Sequence, residues 1–256
     1  MKDSITVYWC PNIDEYQDGT GFKISELAYS SLIEPLSKVL RDEGKLKEYP
    51  KDDDFFKYFG CPAFSNESQN LFVVRAPYDL KINVNFKERL FGVDPNDIMS
   101  DYFCKKSKAF IRNGASNSVT LSIRNIFFSS FSVEMSQIPA YYANNNFVNN
   151  IFLYSGRYNI SKWFRAIDPT FRFKGDFHEI DIKKGDILYY VKFHTSKKVK
   201  IKEFNMNQSL LEFETKCTSL KNYITHKPLE ILYNLFLQKK FNKRILKEIK
   251  ANLTSY

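Results

Sequence analysis

Residues 160–204 read ISKWFRAIDPTFRFKGDFHEIDIKKGDILYYVKFHTSKKVKIKEF, and this stretch decides the fold. Strict alternation of apolar and polar residues marks a strand with one buried face and one wet face. Ile180 and Ile182 fall on one face, with Glu179 and Asp181 on the other. After Gly185-Asp186, residues Ile187, Tyr189, Val191 and Phe193 share a face, opposite Lys192 and His194. The KKGD segment between these runs is a four-residue turn whose glycine is free to take positive φ. Val199 and Ile201, set between lysines, repeat the pattern. The expectation is at least three strands of an antiparallel sheet. The same alternation disfavours a metal site: His178 and Asp181, three apart on a strand, face opposite ways, and metal sites need several converging ligands. His178 and His194 are therefore read without a metal role, and no cofactor is expected.

Working outward, 24 Phe and 16 Tyr against 9 Gly in 256 residues suit a β-rich aromatic core. Four cysteines (Cys10, Cys61, Cys104 and Cys217) have no CxxC spacing, which argues against a zinc site or a disulfide framework. The amino terminus MKDSITVYWC lacks a basic-then-apolar signal pattern, and no run approaches the roughly 18 apolar residues of a membrane helix. These features read as a soluble, reduced, intracellular protein with no membrane partner. The net charge of +9 is unevenly placed: residues 197–256 hold 13 basic and 5 acidic side chains, leaving 25 and 24 for the rest. The body is neutral and the tail is basic.

Ser4–Trp9 alternates as a first strand. Residues 25–42 read as a short helical insertion interrupted by Pro35. Residues 45–54 (KLKEYPKDDD) form a charged loop, and Cys61-Pro62 a rigid turn whose thiol is read as inert. LFVVRAP and DLKINVNF give two strands around Pro77-Tyr78-Asp79, joined as a hairpin or a sharp corner. Val119, Leu121 and Ile123 share one face of further strand material. Ile138–Phe152, rich in asparagine and aromatics, is either a binding loop or a loop covering the sheet. The period then changes: 207–222 is helical, and Pro228–Leu253 reads as an amphipathic helix on Leu229, Leu232, Tyr233, Phe236, Phe241, Ile245 and Ile249. The expected architecture is a mainly β antiparallel sandwich or jelly-roll body over residues 1–206, with basic amphipathic helices over 207–256 packed on it.

The segments GCPAFSNESQNLFVVRAPYDL, MSQIPAYY and WFRAIDPTFRFKGDFHEIDIKKGDILYYVKFHT resemble a family of uncharacterised hypothetical proteins from marine tailed phages. The third also overlaps a bacterial domain of unknown function. The family pattern has prolines where this chain has Ala166 and Ile187. The resemblance implies a phage source, hence the host cytoplasm or the virion, and carries no activity.

Two functional readings follow. The first is a non-enzymatic β-sandwich that binds a partner or assembles. Its partner is a protein, through self-association or a phage or host protein, with nucleic acid as a second target of the basic helix. That surface is Lys239, Lys240, Lys243, Arg244, Lys247 and Lys250, against the bland reading of a solvated helix face. The second is a β-sandwich enzyme of nucleotide or sugar metabolism, dUTPase-like or cupin-like. KKGDILYYVKF and Tyr154-Ser155-Gly156-Arg157 echo dUTPase elements, yet Arg157 follows the glycine rather than preceding the serine. No P-loop, G-x-S-x-G or G-x-G-x-x-G pattern is present. A small-molecule pocket is placed at Trp163, Arg165 and Asp168 with Arg157, because a flat aromatic beside forked donors suits sugars, bases or carboxylates. The competing structural reading makes Trp163 a core aromatic and Arg165–Asp168 a local salt bridge.

Overall fold

The computed structural model describes residues 4–11, 32–46, 61–77, 80–85, 90–93, 118–121, 123–174, 179–224 and 227–254. Among them lie four sheets. In the first, β1 (Ser4–Pro11) is flanked by β7 (Asn125–Ser129), antiparallel, and by β14 (Lys198–Glu203), parallel. The second is antiparallel throughout, in the order β10 (Gly156–Asn159), β8 (Glu134–Ile138), β13 (Ile187–His194), β3 (Leu71–Arg75), β2 (Ile33–Pro35). The third pairs β11 (Thr170–Phe173) with β6 (Ser118–Thr120) and β9 (Ile151–Leu153). The fourth pairs β4 (Leu80–Asn85) with β12 (Glu179–Ile182) and β5 (Leu90–Val93).

All three strands expected from the central stretch form, but they enter three different sheets. Alternation encodes which face of a strand is buried; it does not encode the partner. The KKGD turn closes with the Asp186 N–H donating to the Lys183 carbonyl (2.9 Å) and Gly185 at φ +88°. It turns a corner rather than a hairpin, because β12 pairs with β4 and β13 pairs with β3 and β8. β13 buries both faces, with Leu188, Tyr189, Val191 and Phe193 in one core and Ile187 and Tyr190 in another, so it takes a central position; a register shift between Ile187 and Tyr189 moves Ile187 off the face it was expected to share. The parallel β1–β14 pair departs from the all-antiparallel expectation for the same reason. β1 buries Val7 and Trp9 on one face and Tyr8 and Cys10 on the other, as strands covered on both sides do.

One core draws on strands of all four sheets, through Val7, Trp9, Phe72, Phe127, Met135, Phe171, Ile180, Tyr189 and Phe193. A second lies on the far side of the first sheet, where Tyr8, Cys10, Ile126 and Phe128 meet three C-terminal helices. A third, smaller one covers the outer face of β3 and β13 with α1 (Leu36–Leu46), through Leu36, Val39 and Leu40. The expected helical insertion over 25–42 is corrected here. Ile33–Pro35 is strand β2, paired with β3, and the helix starts after Pro35 and runs to Leu46. Proline without an N–H suits the edge of a sheet and the entry to a helix. Residues 25–31 and 47–54 of those expectations lie outside the described residues.

Two short helices interrupt the strands: α2 (Pro62–Ser68) and α3 (Asn146–Asn150). At the C-terminus follow α4 (Gln208–Tyr223), α5 (Leu229–Gln238) and α6 (Phe241–Ala251). The single helix read over 228–253 is thus two helices. Lys240 adopts the left-handed conformation (φ 53°), and Lys239 and Lys240 N–H groups close the end of α5 on the carbonyls of Leu235 and Leu237. The break lets Phe236 and Phe241 face each other in one core, ring centroids 5.8 Å apart.

Candidate functional site

The C-terminal helices form a cap whose inner face is fastened to the body. Asn207 caps α4, its Oδ1 accepting from the Leu210 N–H at 2.8 Å, and its Nδ2 reaches Glu248 of α6. Leu210, Phe213 and Cys217 put the α4 apolar stripe against β1 and β7. The Tyr233 hydroxyl of α5 accepts a hydrogen bond from the Asn159 N–H (3.0 Å) at the end of β10. After α6, the Asn205 N–H donates to the Asn252 carbonyl (2.9 Å) and the Thr254 N–H to the Glu203 carbonyl (3.2 Å), tying the end of the chain to β14. The cap is therefore part of the folded unit.

The outer face of the cap is cationic. In α6, Ile245 and Ile249 are buried while Lys243, Arg244, Lys247 and Lys250 are exposed. Lys239 and Lys240 are exposed at the α5–α6 turn. All six side chains are exposed, and none of them makes an ion pair among the described residues. The Arg244 guanidinium lies over the Phe213 ring, 5.2 Å from its centroid, and Lys216 covers the same ring at 5.7 Å.

Between the three helices and Trp163 is a cavity of about 280 Å³. Trp163, Cys217, Leu220, Leu235, Phe236 and Phe241 line it, with Lys216 and Lys239 completing its rim. Trp163 is 8 % exposed and stands edge-on to Tyr233 (6.4 Å) and tilted on Phe236 (6.3 Å). Burial pushes the Cys217 thiol up to about 12, so it stays protonated and inert. Sequence reasoning named Trp163 but missed the cavity, because its other walls come from helices far along the chain, from Lys216 to Phe241.

Asp168 belongs to a different cluster, half-buried between body and cap. Its Oδ1 accepts from the Arg124 N–H at 2.6 Å, and the Arg124 guanidinium reaches Glu214 of α4 at 3.5 Å. Arg124 takes the left-handed region (φ 57°), which aims its N–H at Asp168. Burial raises the Asp168 carboxyl to about 6, opposed by the Arg124 N–H and by the charges of Arg124 and Arg165. Nearby runs a buried chain of hydrogen bonds: Trp9 Nε1 donates to Asn125 Oδ1 (3.0 Å), and Asn125 Nδ2 to the Tyr189 hydroxyl (3.1 Å). Glu214 was detectable in the sequence as an acid on the apolar stripe of α4, between Phe213 and Cys217.

The four residues read as one small-molecule site are thus divided. Arg165 and Asp168 act on a common group, the Tyr158 hydroxyl, and Arg165 Nε donates to the Ala166 carbonyl (3.2 Å). Trp163 faces the helices. Arg157, next to Tyr158 on β10, points to the opposite, exposed face and pairs with Glu134. On that face Ser136 Oγ and His194 Nε2 lie 2.8 Å apart, and desolvation with the Arg157 charge lowers the His194 pKa. Among the described residues no cluster of three or more potential ligands could hold a metal ion; His178 lies outside them. No helix among them is long and apolar enough to cross a membrane.

The asparagine-rich segment bonds inward. Asn145 Nδ2 donates to the Ile187 carbonyl (2.8 Å) and Asn146 Oδ1 accepts from the Asp181 N–H (2.9 Å). Its asparagines therefore lay the loop over the sheets, while Tyr141, Tyr142 and Phe152 remain about half exposed. Cys61 is exposed before α2, and N–H groups of Phe64 and Ala63 lower its pKa. No family model, curated protein or solved structure matches the chain.

Proposed function

We propose that the chain is a non-enzymatic phage-type binding protein, in which a β-sandwich body carries a helical cap that docks on an acidic segment of a partner protein. The observation that carries the reading is the separation of charge on the cap. The buried side of α6 packs through Ile245 and Ile249, and the exposed side of α6 and the α5–α6 turn holds Lys239, Lys240, Lys243, Arg244, Lys247 and Lys250. A like-signed surface on a rigid support raises the encounter rate with an oppositely charged partner. The single core shared by strands of all four sheets supports the sandwich. Arg157, Trp163 and Asp168 lie apart, which weighs for the cap rather than a single small-molecule site as the binding surface.

A melting-temperature screen tests the reading. A ligand at 100 times its dissociation constant stabilises by about 2.7 kcal/mol. A polyglutamate peptide should raise the melting temperature, with the effect lost in high salt. A selective response to a nucleotide or sugar instead would replace binding by the enzyme alternative, and a response to DNA alone would make nucleic acid the partner.

A further inference from the structure

We infer that the cavity between Trp163 and the three C-terminal helices is a binding site for a single-chain aliphatic carboxylate. The volume fits a small apolar ligand. An apolar cavity of about 150 Å³ accepts benzene, so about 280 Å³ has room for roughly two such rings or an alkyl chain of comparable bulk. The walls are almost wholly apolar: the Trp163, Phe236 and Phe241 rings, the Leu220 and Leu235 side chains and a protonated Cys217. The apolar surface continues outside, because Ile231, one helical turn before Leu235, is 41 % exposed.

The rim supplies the head-group chemistry. Lys216 is held by Glu212 at 3.4 Å and lies over Phe213, whereas Lys239 is exposed at the end of α5 with no ion pair among the described residues. Both lysines line the cavity mainly through their methylenes, and their exposed heads can swing over its opening to receive a carboxylate while the chain enters. Neutral polar ligands find nothing inside to satisfy them, and an apolar cation meets like charge. The cavity shares Lys239 with the cationic surface, and the two readings are told apart by Lys243 and Lys247, which belong to that surface and do not line the cavity.

The probe is decanoate, titrated into the full chain and followed by calorimetry and by the change in tryptophan fluorescence, with Trp9→Phe used to isolate the Trp163 signal. The expected result is one-to-one binding, weakened about fivefold by Lys239→Gln or by replacing decanoate with decanol, as one partly exposed ion pair implies. Leu235→Trp, which fills the cavity, should weaken binding at least tenfold; Leu220→Phe serves as a second filler where Leu235→Trp lowers the melting temperature. Lys243→Glu/Lys247→Glu should weaken decanoate binding less than Lys239→Gln does, since both side chains are exposed and neither lines the cavity. Absence of binding at millimolar decanoate would overturn the inference. So would binding that a folded cavity-filling variant leaves unchanged.

Discussion

Replacing Trp163 by alanine probes the joint between body and cap. The side chain is 92 % removed from solvent, sits edge-on to Tyr233, and borders the cavity of about 280 Å³. An indole buries about 200 Å², which at about 25 cal/mol per Å² is worth about 5 kcal/mol, an upper figure because the unfolded chain already buries part of that area. Aromatic-to-alanine substitutions in cores cost about 3–5 kcal/mol. Here one edge of the ring already lacks neighbours, so fewer contacts are lost and the expected cost is about 3 kcal/mol. At this chain length that is a fall in melting temperature of roughly 6–12 °C. Urea denaturation followed by far-ultraviolet circular dichroism gives the free energy directly. Trp163→Phe should retain more than half of it, and the cost in a Tyr233→Leu background should shrink, because the two rings touch. A loss below about 1 kcal/mol, typical of a surface residue, would refute the placement of Trp163 in the joint.

Three further outcomes follow from the geometry. Asp168 has a folded pKa of about 6 against 3.8 in the unfolded chain. Its raised value means that folding favours the protonated acid, so this group costs stability as pH climbs from 4 through 6. Asp168→Asn should therefore match the wild type near pH 4 and exceed it by about 2–3 kcal/mol at pH 7.5; a pH-independent difference in denaturation midpoints would contradict this. Among the thiols at positions 10, 61 and 217, only Cys61 should be alkylated by iodoacetamide in the folded protein, because the other two are buried and raised to about 12. Peptide mapping showing Cys217 labelled first would contradict that order. Gly185→Ala should cost about 1 kcal/mol, all of it from the positive φ, since a Cβ there meets nothing within 4 Å.

The elements were more legible than their assembly. Alternation identified β12, β13 and β14 correctly, yet those strands contribute to three sheets, since partner choice depends on burying the second faces of β1 and β13. The 3–4 spacing from Leu229 to Ile249 marked a helical face but not its interruption, because Lys240 adopts a left-handed conformation without glycine or asparagine to announce it. The basic surface was readable residue by residue, because exposure of a lysine follows from its place opposite an apolar stripe. The small-molecule grouping failed differently. Proximity in sequence put Arg157, Trp163, Arg165 and Asp168 together, while the pleat of β10 and the buried turn after it sent Arg157 to the surface, Trp163 to the helices and Asp168 inward. The lining of the cavity and the Arg124–Glu214 pair are long-range juxtapositions and leave only one local trace, the acid on the α4 stripe.

The most direct test of the binding account is fluorescence anisotropy of a labelled polyglutamate peptide, with a DNA oligonucleotide of equal length as comparator. The wild type and a Lys243→Glu/Lys247→Glu/Lys250→Glu variant are compared at low and at moderate salt. The account predicts that the peptide binds the wild type, that the charge-reversed cap loses at least tenfold in affinity with an unchanged melting temperature, and that salt weakens what remains. Peptide affinity that survives charge reversal, or tight binding of DNA with none of the peptide, would contradict it.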